Sequence, residues 1–240
     1  MARILYIFPH PDDESFGPAP LLAKQRREGH EVYLLTLTRG EATAQRAKYG
    51  YSKAEMGTVR YREMQAVART LDLTDLTVLD FPDGGLPDLD PLVLEATLTA
   101  HIERVRPHVV VTYAVHGISG HPDHLVAHAV VKRVYCALQA DGAGYLRRLA
   151  FFTLPEEDTT GRPAHLKGSP PEAIDGIVPF GEEDRARAEA ALACYETYRD
   201  LVEQHQPLRT VADGICFSFF QEHHYPPIND VFGALAVPSG

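Results

Sequence analysis

Short apolar runs alternate with longer amphipathic stretches along most of this chain. Arg3 to Phe8 is almost wholly apolar after its first residue and predicts a buried strand. Pro18 to Gly29 predicts a helix, opened by a proline that gives up no hydrogen bond in a first turn and closed by a glycine. Glu31 to Leu37 predicts a second strand, running into Thr38-Arg39-Gly40-Glu41. From Ala54 to Leu71 the apolar positions recur at helical spacing, with Val59, Met64, Val67 and Leu71 as the core-facing set. Thr77 to Phe81 predicts a third strand, Pro82-Asp83-Gly84-Gly85 a turn, Pro91 to Val105 a helix, and His108 to Tyr113 a strand. After residue 124 a helix runs to about Leu138, and Leu146 to Thr153 predicts another strand. Glu182 to His205 reads as one long polar helix, and Ile215 to Phe220 as a last strand. Thr159 to Pro171, rich in Gly, Pro and Ser/Thr, reads as a surface loop within a longer irregular stretch over 155–180.

Strands separated by helices of this length predict an α/β fold of three layers, a mostly parallel Rossmann-like sheet with helices on both faces. In such sheets the active site lies beyond the carboxyl ends of the strands. The whole of 1–240 is expected to form a single domain, with 141–240 shaping the substrate pocket.

Composition narrows the partners. At 240 residues and 45% hydrophobic content the chain can bury one sizeable core. A formal net charge of -10 argues against nucleic acid, whose phosphates call for a basic face, and against anionic membranes. The three cysteines are scattered, with no CxxC pair, which predicts free thiols in a reducing compartment. Strand-like sequence begins at the third residue, with no signal-peptide pattern, and no apolar run is long enough to span a bilayer. A cytoplasmic location is expected.

Two segments carry the chemistry. Pro9-His10-Pro11-Asp12-Asp13-Glu14 follows the first strand directly, and Gly120-His121-Pro122-Asp123-His124 follows the His108–Tyr113 strand within a few residues. Both therefore belong to one edge of the sheet. Two imidazoles and a carboxylate are a common donor set for a catalytic zinc with an open coordination position. His10 and Asp13, three apart with a proline between them, can meet one ion from a compact loop. Asp12 is then left beside the metal, unbound, where a carboxylate can take a proton from an attacking water and return it to a leaving amine. Asp12, Asp13, Glu14 and Ser15 also suit a helix N-terminus, but a cap has no use for His10. In the second segment His121 and His124 divide two tasks, a metal ligand and a donor to a developing oxyanion, and spacing does not say which does which. Asp123 suits the orientation of an imidazole from behind. His128, a turn further on, reads as a packed or surface helix residue. The dinucleotide fingerprint GxGxxG and the nucleophile elbow GxSxG are both missing.

PHPDDE after the first strand, together with GHPDH after a VVVTY strand, resembles the LmbE-like, PIG-L-type zinc N-deacetylases, which remove acetyl groups from N-acetylglucosamine conjugates. The resemblance extends to about residue 130, with TRGE at 38–41, VRYRE at 59–63 and FPDGG at 81–85 as supporting segments. It implies His10, Asp13 and His124 as ligands of Zn2+, with Fe2+ suited to the same donors. It further implies Asp12 as general base, His121 as the protonated partner of the oxyanion with Asp123 supporting it, and Arg60 and Asp83 reaching sugar hydroxyls. The sequence also allows Arg60 an ion pair with Glu63 on the helix surface, and Asp83 a simple Asp-Gly turn. Members of the family that act on mycothiol precursors tend to carry tyrosine two residues before the first histidine of the second motif, where this chain has Ser119. The implied partner is a small N-acetylated amino sugar or a conjugate of one. Two alternatives are an amidase for a larger thiol- or sugar-conjugate amide and a non-catalytic, metal-containing sugar-binding domain; an unligated Asp12 disfavours the last. The sequence is compatible with a homo-oligomer.

Overall fold

Among the residues described by the computed structural model, 1–156, 165–211 and 214–235, seven strands form one sheet. They are β1 (Arg3–Phe8), β2 (Glu31–Thr38), β3 (Asp75–Phe81), β4 (Val109–Tyr113), β5 (Arg148–Thr153), β6 (Gly176–Val178) and β7 (Ile215–Phe219). Their spatial order is β3-β2-β1-β4-β5-β7-β6. The first five run parallel, whereas β7 is antiparallel to β5 and β6 antiparallel to β7. The helices are α1 (Ala19–Arg27), α2 (Arg46–Tyr49), α3 (Lys53–Thr70), α4 (Pro91–Val105), α5 (Pro122–Ala140), α6 (Glu182–Leu192) and α7 (Arg199–His205).

Side chains along β1 explain the layering. Ile4, Tyr6 and Phe8 join Leu22 of α1, Met64 and Val67 of α3 and Ala188 of α6 on one face. Leu5 and Ile7 join Leu94 and Leu98 of α4 and Val131 and Val134 of α5 on the other. A strand buried on both faces has no polar side to show, so its sequence is apolar without alternation. Each such side chain stabilises the fold by roughly 1.5–3 kcal/mol on leaving water.

Three expectations need correction. Val59 is only partly buried, and the inner face of α3 carries Met56, Arg60 and Glu63 beside Met64 and Val67. The segment 182–205 is not one helix: α6 ends at Leu192, a 3-10 turn spans Glu196–Tyr198, and α7 begins at Arg199. Two buried attachments break it, since Tyr195 turns its hydroxyl inward to Glu14 and Glu63 takes the Thr197 N–H and hydroxyl, each at 2.8 Å. The three-residue β6 was too short to leave a pattern. Of the expected loop over Thr159–Pro171, residues 159–164 lie outside the described residues. Among the described residues no helix is long and apolar enough to cross a membrane.

Because β1 lies between β2 and β4, the chain order changes direction there, and a crevice opens between the loops that leave β1 and β4. Those loops carry the two histidine segments.

Candidate metal centre

The loop after β1 is a series of turns, and α1 begins only at Ala19, so the acidic run does not cap that helix. His10 N–H donates to Asp13 Oδ2 at 2.8 Å, which folds the loop back on itself. Asp12 sits at φ 90°, a left-handed conformation that costs a non-glycine residue and recurs at functional sites. From the other side, His121 caps α5 and His124 stands in its first turn. Gly117, at φ +61°, passes so close to this turn that a Cβ would lie 2.8 Å from His124 Cβ.

Each ligand-type ring spends one nitrogen on an oxygen acceptor. His124 Nδ1 donates to Gly117 O at 2.9 Å. His10 Nε2 faces Asp123 Oδ2 at 3.0 Å and Asp83 Oδ1 at 3.2 Å. The remaining nitrogens, His10 Nδ1 and His124 Nε2, then face each other at 3.3 Å. Asp13 completes the triangle, with Oδ1 3.3 Å from His124 Nε2 and Oδ2 3.6 Å from His10 Nδ1. Three acceptors so disposed repel one another unless a positive charge lies among them. A proton on His10 is one such charge: burial draws this imidazole down, but Asp123, Asp83 and Asp13 outweigh burial and carry its pKa to about 10. A divalent ion is the other, since tetrahedral ligands at zinc bond lengths stand about 3.3–3.4 Å apart. The donors therefore fit a metal ion. His10, His121 and His124 also offer three nitrogens within 4.8 Å of one another, as do atoms of His10, Asp83 and Asp123. In the latter group the carboxylates already accept backbone N–H bonds, Asp123 from Gly84 and Leu86 and Asp83 from Ala42. Both face His10 Nε2, the ring nitrogen opposite the one that faces Asp13 and His124.

Asp12 stands apart from these contacts. Its Oδ2 accepts from Arg60 Nη2 at 2.7 Å, and the same nitrogen donates to Pro11 O. Arg60 is 1% exposed, lies 4.1 Å above the Tyr198 ring, and gives Nη1–H to the Tyr198 hydroxyl. Gly40 makes room for it, because a Cβ there would lie 2.7 Å from Nη1. Burial lifts the Asp12 carboxyl and Arg60 opposes that lift, leaving a pKa of about 6. Asp13 goes the other way, to about 2, because His124 and His10 outweigh its burial. The Asp12 N–H donates to the Tyr195 hydroxyl, which in turn donates to Glu14 Oε1 at 2.7 Å. Glu14 is wholly buried, and burial pushes its carboxyl up to about 7.

All eight residues singled out from sequence thus lie in or directly behind one polar pocket of about 380 Å3. Two partnerships differ from expectation. Arg60 pairs with Asp12, while Glu63 turns to Thr197. Asp123 supports His10 with its carboxylate, and its N–H donates to His121 Nδ1 at 3.2 Å. A ring that accepts at Nδ1 is neutral and carries its proton on Nε2; burial and the neighbouring His10 and His124 also lower the His121 pKa. In this arrangement the His121 ring is neutral, with a proton on Nε2; the resemblance implies a protonated ring. Sequence gave no sign of Tyr113, whose hydroxyl donates to Asp13 Oδ1 at 2.7 Å and whose ring stacks on His124 at 4.2 Å. Nor did it mark Tyr195 and Tyr198, which arrive from the broken helix. His128 packs within α5, its Nδ1 donating to Tyr113 O.

Residues 5–135 match the family described as PIG-L, GlcNAc-PI de-N-acetylase. The chain is similar to the 1D-myo-inositol 2-acetamido-2-deoxy-alpha-D-glucopyranoside deacetylase of Thermobispora bispora, 30% identical over 260 residues, which covers 89% of this chain and 83% of that protein. Its likeness to the protein of the same description from Salinispora arenicola is 30% over 200 residues, 73% of this chain and 63% of that one, so the chain spans less than two thirds of that relative. The N,N'-diacetylchitobiose deacetylase from Pyrococcus horikoshii shares the fold, with a TM-score of 0.70 at 18% identity over 91% of this chain and 84% of that chain.

Proposed function

Since the chain belongs to the PIG-L (GlcNAc-PI de-N-acetylase) family, we propose that it is a metal-dependent amidohydrolase that removes the acetyl group from an N-acetylglucosamine-type sugar or conjugate. We read residues 1–240 as one domain for this purpose, the late segments closing the pocket. The observation that carries the proposal is the trio of facing acceptors on His10, Asp13 and His124 beside an acid, Asp12, that takes no part in the trio.

His10 Nδ1, Asp13 and His124 Nε2 would hold the ion, with zinc favoured by two imidazoles and one carboxylate. When bound, such an ion supplies Lewis acidity, lowering the pKa of water from about 15.7 to about 7 and polarising a carbonyl. Asp12 accepts the proton of the attacking water and returns it to the amine nitrogen as the C–N bond breaks. Arg60 fixes that carboxylate through Oδ2 and keeps its pKa from climbing further. His121 Nε2–H donates to the carbonyl oxygen as negative charge gathers there. Asp123 and Asp83 hold the His10 ring in register from behind. Asp83 still borders the pocket, beside the loop of Ala42 to Ala44, where sugar hydroxyls would lie.

Acetate release from a panel of N-acetylglucosaminides by the zinc-loaded protein, against a chelator-treated control, tests the proposal; equal release in both arms refutes it. An acid with a raised pKa is in its proton-accepting form only above that value. The kcat/KM should therefore fall about tenfold per pH unit below about pH 6, and a flat acid limb removes Asp12 as base. His121→Ala should retain its metal and lose about 10²–10³ in kcat, the usual loss for one oxyanion donor.

A further inference from the structure

Asp12 and Asp13 border two cavities. The polar pocket described above lies on one side. On the other side is a second cavity of about 230 Å3, walled by Phe16, Tyr113, Ile118, Phe152, Leu154 and Leu166. Among the described residues the two share only those two aspartates. The acid assigned to proton transfer and one of the proposed metal ligands thus face a polar chamber on one side and an apolar one on the other. We propose that the apolar cavity receives the acyl side of the amide, and that the substrate class is an amino sugar bearing a linear acyl chain of hexanoyl size, for which acetyl is a short member. This rests on the amidohydrolase reading above.

An amide has an amine side and an acyl side, and these must occupy different chambers. A sugar hydroxyl against the wall of Phe16, Ile118, Phe152, Leu154 and Leu166 would lose water and gain no side-chain partner there. The hydroxyls in its wall are engaged: Tyr113 donates to Asp13 Oδ1, and Ser119 Oγ accepts the His121 N–H at 3.3 Å and donates to Gly117 O at 3.5 Å. The sugar thus belongs with Asp83, Thr43 and His121, and the acyl group with the aromatic and aliphatic wall. Size sets the chain length. Taking each carbon as about the size of a water, which occupies roughly 30 Å3 in the liquid, an acetyl methyl fills a small fraction of this space and six carbons fill most of it. Ser119, small where it lines the wall, leaves the cavity open, and the exposed His165 and His205 stand at its rim. The wall is also held at a conformational cost. Ile118 is β-branched yet sits at φ 55°, pinned by its N–H to His116 Nδ1 and by Lys167 N–H to its carbonyl. Strain of that kind persists where a ligand-facing side chain must be presented.

Calorimetric titration of the zinc-loaded Asp12→Asn protein with N-acetyl-, N-butanoyl- and N-hexanoylglucosamine tests the proposal without relying on turnover. The Kd should fall about fourfold for each added methylene. Leu166→Trp, which fills the cavity away from the aspartates, should erase the gain from butanoyl to hexanoyl. A Kd that is flat or rises with chain length overturns the proposal, as does an unchanged gradient in Leu166→Trp. Turnover by the native holoenzyme separates the two claims. A falling Kd series with no hydrolysis of any member sinks the amidohydrolase reading and keeps the subsite. Hydrolysis of the acetyl sugar with a flat series does the reverse.

Discussion

Asp12→Asn is expected to lower kcat for amide hydrolysis by about 10²–10⁴, the usual contribution of a positioned general base, with one metal ion per chain still bound. The amide keeps the size of the carboxylate and an oxygen for Arg60 Nη2, now 2.7 Å from Oδ2. It has no capacity to accept a proton. None of the contacts among His10, Asp13 and His124 involves this side chain, so metal content should not change. A stability cost accompanies the loss. Arg60 is nearly fully buried and loses its anion, a change that costs about 3–5 kcal/mol when nothing compensates. Here Pro11 O and the Tyr198 ring still engage the guanidinium, so the cost should fall at the lower end. Steady-state kinetics, metal analysis and a thermal melt on the same sample separate the effects. Retained turnover would move the base elsewhere. Glu14 is a poor substitute, because its carboxylate is sealed against Ser15 and Tyr195 and does not border the pocket.

The strands and the two histidine loops were legible because their signals are local. β1 covers the expected Arg3–Phe8, and α4 the expected Pro91–Val105, since a run buried on both faces and a helix opened by Asp90 and Pro91 each announce their limits in sequence. That the loops after β1 and β4 meet follows from parallel strands presenting their carboxyl ends at one edge. What escaped was decided by long-range contacts. Nothing around Arg60 separates an arginine on a helix surface from one buried 48 residues away in sequence from its carboxylate. The break after α6 has no glycine or proline to mark it; Glu14 and Glu63, more than 130 residues earlier in the chain, impose it. Asp123 follows His121 closely in sequence, yet its carboxylate reaches back to His10, because the first turn of α5 points that side chain inward, 0% exposed. Motif spacing identifies the donors. Only the fold says which acid serves which ring.

That last distinction yields the second large effect, a graded loss of metal. On the proposed ligand set, His124→Ala removes a ligand and the partner of Asp13 Oδ1, and should leave the protein unable to hold zinc at micromolar concentration. Asp123→Asn removes no ligand. It replaces the carboxylate behind His10 Nε2 with a weaker acceptor while Asp83 Oδ1, at 3.2 Å, keeps part of the hold. An outer partner of this kind typically contributes 10–100-fold to metal affinity, so the Zn2+ Kd should rise by that factor with stoichiometry intact. Competition against a chromophoric chelator measures both. Folding should report the same order, because an ion that binds only the native state stabilises it in proportion to the logarithm of its excess, by about 4 kcal/mol at a thousand times Kd. For a chain of this length that corresponds to a Tm difference of roughly 8–16 °C between zinc-loaded and chelator-treated protein. The difference should shrink in Asp123→Asn and vanish in His124→Ala. If Asp123→Asn instead empties the site as completely as His124→Ala, Asp123 is itself a ligand. The ion would then lie on the Nε2 side of His10, between Asp83 and Asp123, and Asp13 would be left to shape the loop.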